Sequence, residues 1–404
     1  MPGPTITNVR AITTSPGDGS VQRRLIVVKV ETSEPGLYGL GCATFTQRHE
    51  AVRTVVDNFL APLLLGRDPR RIEDIWQTIH VNAYWRSGPV MNNALSGADM
   101  ALWDILGKMA GMPVYQLLGG KCREAAAIYR HADGSTVEEV EDRVRQFMEQ
   151  GLRHVRAQMG GYGGKQPLPK SPDGALPGAY FDPDGYMRSV VRLFDHLRET
   201  IGFEANLLHD VHERLVPIEA VRFAKELEPH RLFFLEDLLP PERIDWFRTV
   251  RQQCTTPLAM GELFVNSAEW RPLIDERLID FIRCHISAIG GLTAARKLQT
   301  HCELAGIRTA WHGPGDVSPI GHACNVHLDV ASPNFGVQEW GGFLEVEREM
   351  FPGCPEARDG YVYPSDEPGW GIDIDEDLAA KYPCPEGVLD WTQARTPDGS
   401  AVYP

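Results

Sequence analysis

The chain has 404 residues, of which 43% are hydrophobic and 24% are charged, and this balance is ordinary for a soluble globular protein. The formal net charge of −15 argues against an extended basic surface, and therefore against binding to nucleic acid or to an anionic membrane. A single compact core rarely grows to this length, so we expect two domains unless one is a barrel of roughly 250 residues.

The cysteine pattern and the absence of targeting signals favour an intracellular protein. Eight cysteines are spread thinly along the chain and none forms a CxxC pair, which predicts free thiols in a reducing compartment. The start, MPGPTITNVR, lacks the apolar segment of a secretory signal, and no apolar run approaches the ~20 residues of a membrane span. We expect a cytoplasmic protein, and a homo-oligomer is the usual expectation for such a chain.

Residues 1–124 predict an α+β domain. The runs TITNVRAITT, RRLIVVKVET and LYGLGCATF are apolar or alternating, as is typical of strands. The helical patterns HEAVRTVVDNFLAPLLLG and GADMALWDILGKMAG follow, and they stop at Gly66 and Gly111, which suit helix ends. Strands followed by helices predict a small sheet that is covered by helices.

From residue 125 to residue 353 the pattern changes to short apolar runs that alternate with helical stretches. The strand candidates are AAIYRH, HVRAQ, NLLHDVH, LFFLEDL, PLAMGELF, DFIRCHIS, RTAWHG and FGVQEW. Amphipathic patterns such as TVEEVEDRVRQFMEQG and TAARKLQTHCELAG lie between several of them. Eight such alternations predict a closed (β/α)8-type barrel rather than an open doubly wound sheet. We expect residues 354–404 to pack back on the first domain.

One segment interrupts this alternation. Residues 160–185 are rich in glycine and proline, and loops of this length without structure of their own are usually functional lids or disordered. The chain has no GxGxxG fingerprint behind its first strand and no P-loop, which lowers the case for a nucleotide site.

Three carboxylates end successive predicted strands at equal spacing. Asp210 closes LLHD, Glu236 closes LFFLE and Glu262 closes LAMGE, with 26 residues, one β-α unit, between neighbours. Consecutive barrel strands end side by side at one rim, where such barrels keep their active sites. Three half-buried carboxylates need compensating positive charge, and an all-oxygen set of ligands suits Mg²⁺. A single acidic strand end is usually a helix cap or a rim charge, but the regular repeat favours a metal site.

Other polar residues fall near the same rim. His212 lies two positions after Asp210 and is a candidate general acid or base. Arg156 and Gln158 occupy alternate positions on the second strand, and Tyr162 follows in the glycine-rich loop. Because arginine is a poor base, we expect a tyrosine with a pKa lowered by Arg156 to be the better one. The residues that end later strands are Arg283, His312, Asp316 and Glu339.

These residues lie in motifs that resemble a known family. The chain resembles the enolase superfamily, and within it the mannonate dehydratase group, also called the D-galactonate dehydratase family. The resemblance covers nearly the whole chain and rests on the motifs YWRSGPV, MALWDILGKMAGMPVYQLLGG, LLHDVHE, FFLED, GELF, GGLT, WHGPGD and SPNFGVQEW. It implies an α+β cap over a modified barrel, with cap loops closing the site.

The resemblance also implies roles for individual residues. It implies Mg²⁺ ligation by Asp210, Glu236 and Glu262, and proton transfer by two groups on either side of the substrate. Tyr162, with Arg156, would abstract the proton next to the substrate carboxylate, and His212 would protonate the departing hydroxyl. The implied substrate contacts are Gln47 (or the adjacent Thr46), His131, Arg283, His312, Asp316 and Glu339.

The expected chemistry is the dehydration of an aldonic acid, with D-mannonate as the first candidate substrate and D-gluconate as the second. Mg²⁺ would stabilise the enediolate that forms on α-deprotonation, and loss of the β-hydroxyl would give a 2-keto-3-deoxy sugar acid. The second strand has Arg-x-Gln where racemases of the superfamily have Lys-x-Lys, which disfavours racemisation. Two alternatives stay open: turnover of another acid sugar, or a barrel that binds a sugar acid without catalysis.

Overall fold

The structure, a computed structural model, describes residues 3–17, 23–160 and 168–404. Its first domain is a three-stranded antiparallel sheet of β1 (Ile6–Thr14), β2 (Leu25–Thr32) and β3 (Tyr38–Cys42). Helices cover one side of this sheet. They are His49–Val55, Ala61–Leu64, Ile72–Asn82, Pro89–Ala110 and Val114–Leu117, with a π-helical turn at Val56–Leu60.

The second domain is a closed barrel of parallel strands. Within the described residues its eight strands are β4 (Ala126–Gly134), β5 (His154–Met159), β7 (Asn206–Asp210), β8 (Phe234–Glu236), β9 (Leu258–Met260), β10 (Phe281–Ile282), β11 (Arg308–Thr309) and β12 (Gln338–Glu339). From β4 to β11 each of these strands pairs with the next, a bridge joins Thr309 of β11 to Phe335 ahead of β12, and β12 pairs with β4. The predicted barrel with an α+β capping domain is confirmed.

The barrel interior is packed with side chains from nearly every strand. One layer contains the almost fully buried residues Tyr129, Leu208, Phe234, Ala259, Phe281, Ala310 and Val337. Outside the strands lie the helices Val137–Glu149, Pro183–Thr200, Pro217–Glu226, Phe247–Gln253, Ser267–Asp275, Leu292–Ala305 and Pro319–Ala331. A filled interior leaves the rim as the place for a ligand.

Several of these helices begin at a residue whose side chain satisfies a free backbone N–H. Thr136 accepts from Glu139 N, Asp182 from Gly185 N and Ser318 from Gly321 N. Such caps contribute about 1 kcal/mol each. The Asp182 cap starts its helix at Pro183, so the long loop predicted at residues 160–185 ends earlier than its composition suggested.

Later elements join the two domains. Strands β13 (Glu356–Arg358) and β14 (Tyr361–Tyr363) form a hairpin on β4, and short helices span Glu345–Met350 and Glu376–Ala379. Lys29 contacts Glu376 at 2.8 Å, and Trp370 N donates to Asp104 at 2.9 Å. Strand β6 (Ala179–Tyr180) pairs with β15 (Ala394–Arg395), which ties the second half of the long loop to the C-terminal segment. The boundaries 1–124, 125–353 and 354–404 stay predictions.

No helix among the described residues is both long enough and apolar enough to cross a membrane. All eight cysteines lie in the described part of the chain as free thiols, and five of them are buried.

The cap sheet and its main helix pack in backbone-to-backbone contact at glycines. A Cβ on Gly41 would lie 2.0 Å from the Gly97 carbonyl oxygen. We expect Gly41→Ala to lower the free energy of unfolding by roughly 3 kcal/mol because neither backbone can move away freely. Gly36→Ala is the control, since its Cβ meets nothing within 4 Å and only the positive φ of +80° is strained, at about 1 kcal/mol. Guanidinium denaturation measures both, and equal losses would contradict the packing argument.

Asp99 of the cap holds the first turn of a barrel helix. Its carboxylate accepts from Thr293 N at 2.9 Å, and burial raises its pKa to about 7, although the Thr293 hydrogen bonds oppose the rise. The folded protein therefore binds this proton more tightly than the unfolded chain does. The contribution of protonated Asp99 to the free energy of unfolding is therefore at its maximum below about pH 4, and it is lost as the pH rises to about 7.

We expect Asp99→Asn to flatten this pH dependence. Asparagine keeps an acceptor for Thr293 but has no proton to lose, so the fall in unfolding free energy between about pH 4 and 7 should shrink by roughly 2–4 kcal/mol. Denaturation curves collected across that range measure the change. An unaltered slope would show that Asp99 does not titrate in this window.

Candidate active site

The predicted carboxylates meet at the carboxyl-end rim of the barrel. The register of β7 and β8 places Asp210 directly beside Glu236, and both are fully buried. The strand prediction for Glu262 was wrong, because β9 ends at Met260 and Gly261 turns the chain with a φ of +137°. Glu262 therefore lies two residues beyond its strand, yet it still reaches the same rim.

Two buried arginines contact these carboxylates. Arg156 Nη1 donates to Asp210 Oδ2 at 3.0 Å and to Glu236 Oε1 at 3.2 Å. Arg283 Nη1 donates to Glu262 Oε2 at 2.6 Å, and Arg283 Nε lies 3.4 Å from Glu236 Oε2. The rim is thus one connected network of charges.

Two carboxyl groups of this network resist ionisation. Burial raises the pKa of Glu236 to about 8, with Asp210 adding to the rise and Arg283 opposing it. Burial also raises the pKa of the adjacent Asp237 to about 7. A carboxylate that resists ionisation beside two arginines indicates that still more positive charge would stabilise the ionised site.

The residues present fit a divalent cation by their chemistry. Asp210, Glu236 and Glu262 offer only oxygen donors on neighbouring strands, which is the ligand type that Mg²⁺ prefers. In the structure these oxygens contact the arginines and His212. Among the described residues, the group of three ligand atoms that all lie within 4.8 Å of one another is His285, His312 and Asp316 instead.

A turn after the strand, and not the strand itself, positions His212 at the rim. The strand ends at Asp210, and His212 and Glu213 both have positive φ, 54° and 63°. This turn lets His212 N donate to Asp210 Oδ1 at 2.7 Å and places its Nε2 3.2 Å from Glu262 Oε1. Burial lowers the pKa of His212, but Glu262 outweighs that effect and raises the pKa to about 9.

A second wall of the site is built from β4 and β12. Arg156 Nη2 contacts His131 Nδ1 at 3.0 Å, so this nitrogen must accept, because arginine only donates. His131 Nε2 then donates to Glu339 Oε1 at 2.7 Å. The other Glu339 oxygen accepts from Arg283 Nη2 at 2.7 Å and from Gly313 N at 2.9 Å. The orientation of His131 is thereby fixed.

A cavity of about 1040 Å³ opens above this network. The predicted residues that line it are Thr46, Gln47, His131, Arg156, His212, Glu262, His312, Asp316 and Glu339. Asp210, Glu236 and Arg283 are fully buried and lie outside the lining, so Arg283, predicted as a substrate contact, is here a partner of carboxylates. Tyr162 lies outside the described residues.

Several residues at this site were not predicted from the sequence. Tyr129 OH donates to Glu236 Oε2 at 3.1 Å, and Asp237 accepts from Arg283 Nη1 at 2.6 Å. The C-terminal segment also contributes: His212 Nδ1 lies 2.9 Å from the Pro404 oxygen, and the Trp391 ring packs edge-on against His212. The position of Asp237 next to Glu236 was an available signal, whereas nothing in the tail sequence pointed to the rim.

A barrel with an α+β cap and three carboxylates at its rim is the architecture expected of the enolase superfamily, and comparison with known families agrees with this assignment. Residues 6–119 match the mandelate racemase/muconate lactonizing enzyme N-terminal domain, and residues 139–378 match the enolase C-terminal domain-like family. A D-galactonate dehydratase family member of Musicola paradisiaca is 58% identical over 99% of each chain. The chain belongs to the enolase superfamily and, within it, to the D-galactonate dehydratase family.

Solved structures extend this relationship. An enolase from Pantoea ananatis, solved with bound D-gluconate and Mg, is 57% identical and superimposes with a TM-score of 0.96 over 100% of both chains. A mandelate racemase/muconate lactonizing enzyme from Sulfitobacter is 22% identical, with a TM-score of 0.83 over 96% of this chain and 98% of that one, and shares the fold.

Proposed function

We propose that this protein is a magnesium-dependent hydro-lyase that removes water from an aldonic acid. D-gluconate and D-mannonate are the proposed substrates, and 2-keto-3-deoxy-D-gluconate is the product. The observation that carries the proposal is the placement of His212 and Arg156 around one carboxylate network at the floor of one cavity. The Pantoea ananatis relative, with its bound D-gluconate and Mg, supports both the substrate class and the cation.

Asp210, Glu236 and Glu262 are the residues that would hold the cation. When bound, Mg²⁺ supplies positive charge opposite a substrate carboxylate and favours loss of the neighbouring proton. The arginines that now contact these oxygens provide part of the same compensation. Since Arg156 also touches His131, its guanidinium joins the metal ligands to the wall that would face the sugar chain.

His212 is suited to deliver a proton to the departing hydroxyl. Glu262 keeps it protonated at neutral pH, and its Nδ1 is 2.9 Å from the Pro404 oxygen. One N–H is therefore held by the tail, and the other, on Nε2, lies 3.2 Å from Glu262 Oε1 at the cavity lining, where it is placed to act as a general acid. The corresponding base is proposed to be Tyr162, assisted by Arg156, and this role stays a prediction.

The remaining polar lining suits a polyhydroxylated acid. Gln47 comes from the cap, whereas His131, His312, Asp316 and Glu339 come from the barrel, and together they present donors and acceptors along the cavity. Cap and barrel residues on opposite sides would bind successive hydroxyl groups.

Racemisation is disfavoured by the partners of His312. A racemase would pair this histidine with an aspartate on the sixth strand, but His312 Nδ1 contacts His285 Nδ1 at 2.8 Å and its Nε2 lies 3.4 Å from Glu262. The cavity volume of about 1040 Å³ lies at the upper end of small-molecule sites, so the cavity has room for another acid sugar as the second candidate substrate.

An assay of the purified protein with Mg²⁺ and a panel of aldonic acids tests the proposal. We expect a 2-keto acid from D-gluconate, D-mannonate or both. Product only from another acid sugar would support the second candidate. If a sugar acid raises the melting temperature and no panel member gives product, the protein binds acid sugars without catalysis.

A further inference from the structure

A second group of potential metal ligands lies next to Glu262, whose Oε2 is 3.4 Å from His312 Nε2. His285 and His312 follow β10 and β11, and Asp316 lies in the turn after β11. One ligand atom from each of the three lies within 4.8 Å of the other two. All three line the cavity, so a small cation could reach them from solvent.

The two imidazoles face each other through the same kind of nitrogen. His285 Nδ1 and His312 Nδ1 are 2.8 Å apart, so they can share at most one proton. At least one lone pair therefore already points at the other ring. Two imidazole nitrogens bound to one metal at ~2.0–2.1 Å lie about 3 Å apart, so a small movement would admit a cation between these rings.

The outward-facing atoms support this arrangement. His312 Nε2 lies 3.4 Å from Glu262 Oε2, so Nδ1 is the ring nitrogen that faces His285. His285 is only 7% exposed, and among the described residues its Nε2 makes no close hydrogen bond, the ring having only a weak contact with the Thr44 backbone. Asp316 Oδ1 is likewise buried without a partner in the described part of the chain. Such unpartnered buried atoms indicate that a ligand is missing.

We propose that His285, His312 and Asp316 form a second cation site that takes a transition metal such as Zn²⁺, Co²⁺ or Ni²⁺. Imidazole donors favour these metals over Mg²⁺, which prefers oxygen, so the two sites separate the ions by ligand type. Because His312 and Asp316 are also proposed sugar contacts, a metal bound there excludes the sugar acid. This second statement rests on the proposed function, whereas the metal site itself does not.

Titration with Co²⁺ in the presence of excess Mg²⁺ tests the site through the visible absorption of the bound ion. We expect one equivalent of Co²⁺ to bind to the wild-type protein and to Asp210→Asn, which disables the carboxylate site. His285→Asn should weaken Co²⁺ binding at least ~10-fold. His301→Asn is the matched control: His301 is a partly exposed histidine outside the cavity lining that contacts Asp275 at 2.8 Å, so its replacement should leave the titration unchanged.

Two outcomes would overturn the proposal. One is that excess Mg²⁺ displaces all the Co²⁺ from the wild-type protein, and the other is that His285→Asn binds Co²⁺ as tightly as the wild type does. Circular dichroism checks the fold, and Asp316→Asn carries the same expectation if His285→Asn does not fold. Addition of D-gluconate should displace Co²⁺, and failure to displace it overturns the exclusion of the sugar acid. Since the absorption needs no turnover, Co²⁺ binding by a protein inactive on every aldonic acid would remove the proposed function and leave this site.

Discussion

Replacing Asp210 with asparagine should lower kcat/KM for aldonic acid dehydration by at least ~10³-fold. Asparagine keeps the shape and an acceptor for His212 N, which now donates to Asp210 Oδ1 at 2.7 Å, but it removes a charge from the buried trio. The cation would lose one anionic ligand, and its affinity should fall together with the rate. Detection of the 2-keto product and calorimetric titration with Mg²⁺ measure the two effects.

The control for this experiment is Asp245→Asn, which makes the same chemical change at an exposed position outside the cavity lining. It should retain wild-type kcat/KM and Mg²⁺ affinity. Full activity in Asp210→Asn would refute the metal assignment. A loss of activity with unchanged Mg²⁺ binding would instead assign Asp210 to the positioning of His212.

Arg283→Met should destabilise the protein by roughly 3–5 kcal/mol, the largest stability effect that we expect from one substitution. Arg283 is fully buried and its guanidinium lies within 3.4 Å of carboxylate oxygens of Glu236, Asp237, Glu262 and Glu339. Methionine fills similar space but leaves these buried carboxylates without their shared partner. Their ionised forms would lose stability most, so the loss should be greater at neutral pH than at acid pH.

Arg248→Met is the matched control for Arg283→Met. Arg248 Nε donates to Glu276 Oε2 at 2.6 Å, but both side chains are more than 40% exposed. A surface ion pair of this kind contributes about 0–1 kcal/mol, so the control should be close to wild type in guanidinium denaturation. Similar losses for the two variants would mean that the buried network does not support the barrel rim.

The order of strands and helices could be predicted from the sequence because the spacing of apolar residues indicates which face of each segment is buried. Apolar runs separated by helical stretches indicated the barrel, and the spacing of Asp210, Glu236 and Glu262 indicated one acidic rim. Local patterns were weaker at boundaries. The helix Ile72–Asn82 was missed, and the helix Pro89–Ala110 begins eight residues before its predicted start at Gly97.

Contacts between distant parts of the chain were not accessible in this way. His212 contacts the Pro404 oxygen although the two residues are 192 positions apart, and the sequence around neither residue predicts this contact. Arg283 has the charge and the place after a strand that are expected of a substrate contact. In the folded barrel it is instead buried among carboxylates that come from other strands and their turns. His285 and His312 follow the paired strands β10 and β11, but the turns after these strands set the 2.8 Å between their Nδ1 atoms, and no local pattern encodes that distance.

The amino-acid sequence by itself determined the barrel, its cap and the acidic rim, because periodic burial and strand-end chemistry repeat at each β-α unit. Only the tertiary structure decided which charges face the cavity and which lie beneath it. The reason is that burial depth, turn geometry at Gly261 and His212, and the course of the C-terminal segment depend on contacts that no local pattern encodes.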